Sequence, residues 1–203
     1  MPRLPALAAA LTILLGATSL AAADNIGSVY SSVADRDCRG VSNFKIDGDD
    51  YAREQVCKGP AGLVVFKNED DLRETISAGT TAAAANSEPA ASQGFGPFNS
   101  TTNTIEWRTI AGKPFAMIQR WHIADSTDPD KQGRPNTKAM LVLTRLPPGP
   151  VCHVAYVDAI ANPTANELAR KAADDLARGF TCGKDEVKIV GTRGRAVELT
   201  TMR

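Results

Sequence analysis

Two histidines are the side chains of this sequence best suited to proton transfer near neutral pH. His122 and His153 follow Trp121 and Cys152 on runs that we predict to be strands. General acid or base catalysis would require a nucleophile or a carboxylate within hydrogen-bond reach of either ring, and the sequence shows no such partner. The chain also lacks the G-x-S-x-G and H-E-x-x-H signatures of common hydrolases. We therefore interpret both histidines as structural or surface residues and name no catalytic residue.

An acidic segment, residues 125–136, resembles the start of a calcium-binding loop. In DSTDPDKQGRPN, the oxygen-bearing side chains of Asp128, Asp130 and Gln132 alternate and are followed by a glycine. Calcium prefers oxygen ligands arranged around such a turn. The match fails where the loop should supply a bidentate Glu, because Ala139 occupies that position. We expect a solvated loop, with a calcium site as the alternative.

Two tryptophans provide the most distinctive apolar chemistry in the chain. Trp107 and Trp121 lie on predicted strands, and with His122 they could form an exposed surface that binds a glycan or a peptide. Tryptophan on a sheet is more often part of the core. Burial is therefore the expected arrangement, and a binding surface at Trp107, Trp121 and His122 is its alternative.

The elements that would position these residues are clearest in the C-terminal part of the chain. Residues 152–159 predict a strand, residues 163–179 a helix and residues 187–190 a second strand. Asn162 is a suitable N-cap, and Pro163 suits the first helical turn. Apolar residues recur at three- and four-residue spacing, so one helical face should be buried. The predicted buried positions include Leu168, Leu176 and Phe180, whereas Arg170, Lys171, Asp174 and Asp175 fall on the solvated face.

Four cysteines predict two structural disulfides. The strand of residues 152–159 and the following helix each extend roughly 25 Å in opposite directions, which returns Cys182 to the neighbourhood of Cys152. Pairing these two leaves Cys38 for Cys57, although four cysteines allow three connectivities. The chain lacks C-x-x-C, so zinc or redox chemistry is not expected. Structural disulfides are typical of exported proteins in oxidising compartments.

The remaining strands are predicted to form hairpins. Residues 63–67 and 72–77 flank one polar turn, and residues 105–110 and 115–123 flank another. A strand of residues 140–146 leads through a proline-rich turn into the C-terminal unit. Strand signals in the N-terminal quarter are weak, and the arginine-rich tail is expected to be a solvated hairpin. The predicted fold is α+β: an antiparallel sheet, built as a meander of hairpins, with one long C-terminal helix packed on one face.

The first 23 residues have the order of a secretory signal peptide. One arginine precedes an apolar run through Leu15, which is followed by a break at Gly16 and the small-residue end SLAAA. Ala21 and Ala23 satisfy the small-residue rule for cleavage before Asp24. The apolar run is too short to span a bilayer. We expect one domain, residues 24–203, that is soluble and periplasmic or secreted. The balance of 23 basic and 23 acidic residues gives no reason to expect a nucleic-acid partner or membrane insertion.

A resemblance to small exported bacterial proteins of unknown function is carried by two segments, WRTIAGKPFAMIQRWHIAD and LPPGPVCHVAYVDAIAN. The resemblance implies export to the periplasm and no particular activity. Together with the missing catalytic motifs, it favours a non-enzymatic envelope protein that binds a protein or a glycan. The alternative is a periplasmic hydrolase without a recognisable motif. No cofactor is expected.

The signal peptide leads to a measurable prediction. Export should remove residues 1–23, so the exported protein should begin at Asp24. Intact-mass spectrometry of protein recovered from the periplasm or the medium checks this. Retention of the first 23 residues, or recovery only in the membrane pellet, would contradict the prediction.

Overall fold

The computed structural model describes residues 25–46 and 50–201, and strands dominate it, with 48% of residues in strands and 21% in helices. The predicted signal peptide lies outside the described residues. The strands are β1 (Ile26–Ser32), β2 (Cys38–Ile46), β3 (Asp50–Lys58), β4 (Val64–Asp70), β5 (Arg73–Gly79), β6 (Asn99–Ile110), β7 (Lys113–Pro129), β8 (Pro135–Arg145), β9 (His153–Asp158) and β10 (Lys188–Ile189). The helices are α1 (Ala82–Ser87), α2 (Ala165–Leu176) and α3 (Arg195–Thr201).

The strands form two sheets. The six-stranded sheet has the order β1-β6-β7-β8-β9-β10. Its neighbours are antiparallel except for β9 and β10, which are parallel and connected through α2. The four-stranded sheet is an antiparallel meander in the order β2-β3-β4-β5.

Tight turns close two of the hairpins. Asp71 and Leu72 connect β4 to β5, and Ala111 and Gly112 connect β6 to β7. All four residues have positive φ. Two-residue loops of this kind match the right-handed twist of the strands that they join, which explains why the hairpins form here.

The main hydrophobic core lies between the two sheets. Trp107 of β6 and Trp121 of β7 contribute its largest side chains, and both are fully buried. Alternate residues of a strand point to the same face, so apolar side chains two positions away from these tryptophans join the same core. Further contributions include Val65 and Ile76 of the four-stranded sheet and Ala196, Val197 and Leu199 of α3.

The second face of the six-stranded sheet is covered by α2. On the sheet side this smaller core contains Ile118 of β7 and Leu141 and Leu143 of β8. Alanine has the highest helix propensity and the smallest side chain with a Cβ, so alanines favour both the helix and its close approach to the sheet. The buried residues of α2 are Ala165, Ala169, Ala172 and Ala173.

The helix is shorter than predicted and begins later. α2 has 12 residues and starts at Ala165 instead of Pro163. Asn162 does not cap it, because its side-chain amide donates to the carbonyl oxygens of Asp158 and Thr192 at 2.9 Å and 2.8 Å. Asn162 thus ties the end of β9 to the segment before α3.

The predicted buried face of the helix is correct only in part. Phe180 is buried as predicted. Leu168 and Leu176 are half-buried and pack at the margin of the core, because alanines occupy the centre of the contact with the sheet. On the opposite side, Lys171 and Asp175 are exposed.

The predicted α+β fold, one antiparallel meander with one long C-terminal helix on one face, is wrong. The hairpins β4–β5 and β6–β7 exist, but they belong to different sheets. In place of a long helix, the C-terminal part has α2 and the seven-residue α3, and α3 replaces the predicted solvated hairpin. A hairpin pattern is local, so it does not distinguish hairpins that pair side by side from hairpins that stack face to face.

Both predicted disulfides are present. Cys38 lies directly opposite Cys57 in the register of β2 and β3, with 4.2 Å between the Cα atoms. Cys152 precedes β9 and joins Cys182 beyond α2, with 5.9 Å between the Cα atoms. This second bond closes a sequence separation of 30, for which the chain-entropy model expects ~3–4 kcal/mol of stabilisation.

The packing of α2 leads to a stability prediction. Ala173→Leu should lower the free energy of unfolding by about 1–3 kcal/mol, because Ala173 is fully buried and a larger side chain would overpack the core. Glu167→Leu places the same side chain on the exposed side of the same helix and is the matched control. Urea unfolding with the disulfides intact measures both variants. An equal or smaller loss for Ala173→Leu than for Glu167→Leu would contradict this packing.

Candidate functional site

His153 is a core residue. It is 1% exposed and is surrounded by the rings of Phe95, Trp121 and Tyr156. Its Nδ1 lies 3.0 Å from the hydroxyl of Tyr156, and its backbone N–H donates to the side-chain oxygen of Gln93 at 2.7 Å. Burial lowers the pKa of His153 to about 3 and raises the pKa of Tyr156 to about 12. Both groups are therefore neutral near pH 7, and His153 packs with the surrounding aromatic rings as part of the core.

His122 lies in a shallow depression that also contains Glu69 and Glu74. Burial, and then the positive charge of Arg120, lowers the pKa of His122. The carboxylate of Glu74 contacts the ammonium group of Lys67 at 2.8 Å and accepts hydrogen bonds from the backbone N–H and hydroxyl of Thr101, each at 2.6 Å. The carboxylate of Glu69 lies 3.6 Å from the guanidinium of Arg53. The carboxylates of Glu69 and Glu74 are thus engaged by other groups.

The two tryptophans form no exposed platform. Trp107 is 0% exposed, and its Nε1 donates to the hydroxyl of Ser31 at 2.8 Å. Trp121 is 1% exposed and packs against Phe95 at a ring-centroid distance of 4.9 Å. Both indoles are covered because the four-stranded sheet and α3 lie over this face. The binding surface considered from Trp107, Trp121 and His122 is therefore not assembled.

The carboxylates of the acidic segment have separate partners. Asp128 contacts the ammonium group of Lys138. The carboxylate of Asp130 accepts hydrogen bonds from the backbone N–H groups of Gln132 and Arg134 and from the guanidinium of Arg134. These contacts lower the pKa of both aspartates. Within residues 25–46 and 50–201, no group of three or more His, Cys, Asp or Glu residues is placed to hold a metal ion.

Asp125, at the start of the same segment, has a structural role. The guanidinium of Arg195 donates to both of its carboxylate oxygens, at 2.7 Å and 2.9 Å. Hydrogen bonds from Arg195, and then from Thr127, lower the pKa of Asp125. This pair joins β7 to α3, so the segment supports the fold.

An open depression beside Tyr30, here termed the Tyr30 surface, has the side chains expected of a binding site. Tyr30, on β1, is 59% exposed. The depression has a volume of about 230 Å³ and lies where β1, β6 and β7 meet the N-terminal half of α2. Its polar lining comes from Thr102, Thr104, Glu106, Arg120, Asn166 and Arg170.

Two bidentate ion pairs lie beneath this surface. The guanidinium of Arg170 donates to the two carboxylate oxygens of Glu106 at 2.7 Å and 3.2 Å. The guanidinium of Arg108 donates to those of Asp174 at 2.8 Å and 2.7 Å. The hydroxyl of Ser28 connects the pairs, at 2.5 Å from both Glu106 and Arg108. These hydrogen bonds raise the pKa of both arginines, which therefore stay charged.

The ion pairs hold the rim of the Tyr30 surface in one arrangement. Arg170 also reaches the hydroxyl of Tyr30 at 3.5 Å. Beside it, the guanidinium of Arg120 donates to the side-chain oxygen of Asn166 at 3.0 Å. Planar groups locked by such contacts lose little side-chain entropy when a ligand binds.

The sequence pattern does not reveal this surface, because its residues come from distant parts of the chain. The helical pattern predicts Arg170 and Asp174 on the solvated face, whereas in the structure both contact β6. One signal was present in the sequence: Glu106 and Arg108 alternate with Trp107 and Thr109 on a strand, so the two charges share a face. Nothing in the sequence identified the helix as the cover of that face.

The burial of His153 leads to a prediction on pH and stability. Its pKa is about 3 in the folded protein against an ordinary value of 6.5, so the unfolded chain binds the proton first as the pH falls. The contribution of neutral His153 to the stability of the folded protein is therefore complete above pH 6.5. It is lost as the pH falls below that value, by up to ~1.4 kcal/mol per pH unit. Urea unfolding between pH 7 and pH 5, above the ordinary pKa of the carboxylates, measures this slope.

Two variants test the assignment of that slope. His153→Asn should remove most of the slope. His122→Asn should remove a smaller part, because the pKa of the half-buried His122 is lowered in the same direction. An unchanged slope in His153→Asn would show that another group is responsible.

No family model, no curated protein and no solved structure matches this chain. Support for a function therefore comes from the chemistry of its own surface, above all from the exposed ring of Tyr30 and the ion pairs beneath it.

Proposed function

We propose that this protein is an exported, non-enzymatic binding module of the cell envelope and that its Tyr30 surface binds a glycan. The observation that carries the proposal is the exposed ring of Tyr30 beside the polar side chains of Arg120, Asn166 and Arg170, in one open depression. An exposed aromatic ring with polar neighbours suits a ligand that has both apolar faces and hydroxyl groups.

Each part of the surface has a counterpart in a sugar ring. The face of Tyr30 can stack on the C–H groups of a pyranose. Arg120 and Asn166 offer N–H donors, and Thr102 and Thr104 offer hydroxyl groups that donate or accept. The depression is open and shallow, which suits one or two units of a longer chain better than a fully enclosed small molecule.

The electrostatics of the surface favour a hydroxyl-bearing ligand over a simple anion. Arg170 is one of two arginines at the surface, and the carboxylate of Glu106 neutralises its charge through a bidentate pair. Arg120 bonds to the neutral amide of Asn166. Hydrogen bonding, with stacking on Tyr30, therefore supplies more of the expected affinity than charge does.

Export is part of the proposal and has two supports. The chain has two disulfides, which form and persist mainly in oxidising compartments. The order of residues 1–23 is that of a secretory signal peptide. Among the described residues, no helix is long and apolar enough to cross a membrane.

A glycan-binding experiment tests the proposal. Purified protein without residues 1–23 is titrated by calorimetry with soluble oligosaccharides that contain glucose, N-acetylhexosamine or uronic acid units. At least one should bind, and Tyr30→Ala should weaken that binding about tenfold, equivalent to ~1.4 kcal/mol, because the stacking face is removed. Tyr30→Phe should retain most of the affinity, since it keeps the ring.

Phe98→Ala is the matched control, because Phe98 is 44% exposed but lies in the depression around His122, away from the Tyr30 surface. It should bind like the unaltered protein. Absence of binding to every oligosaccharide, or equal affinities for Tyr30→Ala and Phe98→Ala, would refute a glycan site at Tyr30.

A further inference from the structure

A second concave site lies at the other end of α2, here termed the Phe115 groove. Its volume is about 420 Å³, within the roughly 300–1,000 Å³ typical of small-molecule sites and larger than the depression at Tyr30. It lies between the start of β7, the end of β8 and the residues that follow α2. The apolar lining is formed by Ile110, Pro114, Phe115, Leu146, Pro147 and Ala177.

The charged residues that line the groove are all basic. They are Lys113, Arg145 and Arg178, and no Asp or Glu of the described residues lines it. The guanidinium of Arg178 lies 5.7 Å from the centre of the Phe115 ring, so positive charge directly borders the apolar floor. An apolar floor with a basic rim is complementary to a molecule that has an apolar body and an anionic end.

The hydrogen bonds of Arg145 do not neutralise its positive charge. Its guanidinium donates to three backbone carbonyl oxygens, those of Pro148 at 2.8 Å, Pro150 at 2.5 Å and Ala177 at 3.4 Å. Carbonyl oxygens satisfy the N–H groups but carry no net charge. Arg145 therefore fixes the proline-rich turn and still contributes a positive field to the groove.

The groove is formed before any ligand binds. The backbone N–H of Leu146 donates to the carbonyl oxygen of Phe115 at 2.9 Å, which joins the two walls. The disulfide between Cys152 and Cys182 holds the segment after the proline-rich turn against the segment after α2. A site held this way loses little conformational entropy on binding.

We propose that the Phe115 groove binds an amphiphilic anion, a molecule with a short alkyl chain and one terminal carboxylate. The alkyl chain lies on Phe115 and Leu146, and the carboxylate faces Lys113 in the positive field of Arg145. This site is separate from the Tyr30 surface, because α2 contributes Asn166 and Arg170 to one, whereas Ala177 and Arg178 beyond its other end contribute to the other. The two proposals therefore stand or fall independently.

Three probes, each with a straight chain of eight carbons, test the chemistry of the ligand by calorimetry. Octanoate should bind, whereas octan-1-ol and octyltrimethylammonium, with a neutral and a cationic end, should bind at least about tenfold more weakly. Affinity for octanol equal to that for octanoate would show an apolar pocket without anion selectivity and would overturn the proposal. Failure of octanoate to bind at concentrations below its micelle formation would overturn it as well.

A charge-removing variant tests the position of the carboxylate. Lys113→Gln should lower the affinity for octanoate about tenfold, because it removes the charge that the carboxylate faces. Lys131→Gln is the control, because Lys131 is exposed beyond the opposite end of β7 from Lys113, and it should bind octanoate normally. Equal affinities in Lys113→Gln and the control would refute the assignment.

Methyl resonances show where octanoate binds, and this measurement needs no substitution that could alter the stability of the protein. In spectra of ¹³C-methyl-labelled protein, octanoate should shift the methyl signals of Ile110 and Leu146 and leave those of Leu72 and Ile160 unchanged, since the latter two are exposed outside the groove. Shifts confined to Leu72 or Ile160 would place the binding elsewhere and contradict the proposal.

Discussion

Both faces of the six-stranded sheet are apolar over β7 and β8, and covering them is the constraint on which the rest of the structure depends. Met117 and Trp121 of β7 point to one core, and Ile118 between them points to the other. An antiparallel sheet often leaves one face to water, but exposing either face here would leave a large apolar area solvated. The four-stranded sheet and α3 cover one face, and α2 covers the other.

Polar groups hold the layers in register at the end of β9. The carboxylate of Asp158 accepts hydrogen bonds from the backbone N–H groups of Ile160 and Ala161, in the turn that leads to α2, and from that of Ala196 in α3. Gly194 allows this approach, since a Cβ there would lie 2.5 Å from the carboxylate carbon of Asp158. One buried side chain thus fixes the positions of both C-terminal helices relative to the sheet.

The way in which α2 packs accounts for both candidate sites. Its alanines bring the helix close to the centre of the sheet, where the contact is tight. Longer side chains near its N-terminal half, including Arg170, reach across to β6 and form the Tyr30 surface. Beyond its C-terminal end, Ala177 and Arg178 border the Phe115 groove together with the proline-rich turn. A short helix on a wide sheet leaves a concave region at each end, and the side chains available at each end set its polarity.

The sequence by itself determined the features that depend on neighbouring residues. Alternating apolar residues and short polar turns predicted the hairpins β4–β5 and β6–β7, and the strand and helix lengths predicted that Cys152 would meet Cys182.

Only the tertiary structure decided which hairpins share a sheet, which aromatic ring remains exposed and which charges meet. The pattern around Trp107 and Trp121 is the same whether that face is open or covered. The second sheet covers it, and the sequence signals of two of its strands, β2 and β3, are weak. Arg170 meets Glu106 across 64 positions of the chain and Tyr30 across 140. The free energy of such contacts depends on burial by another layer of the fold, and a local pattern of residues carries no information about that layer.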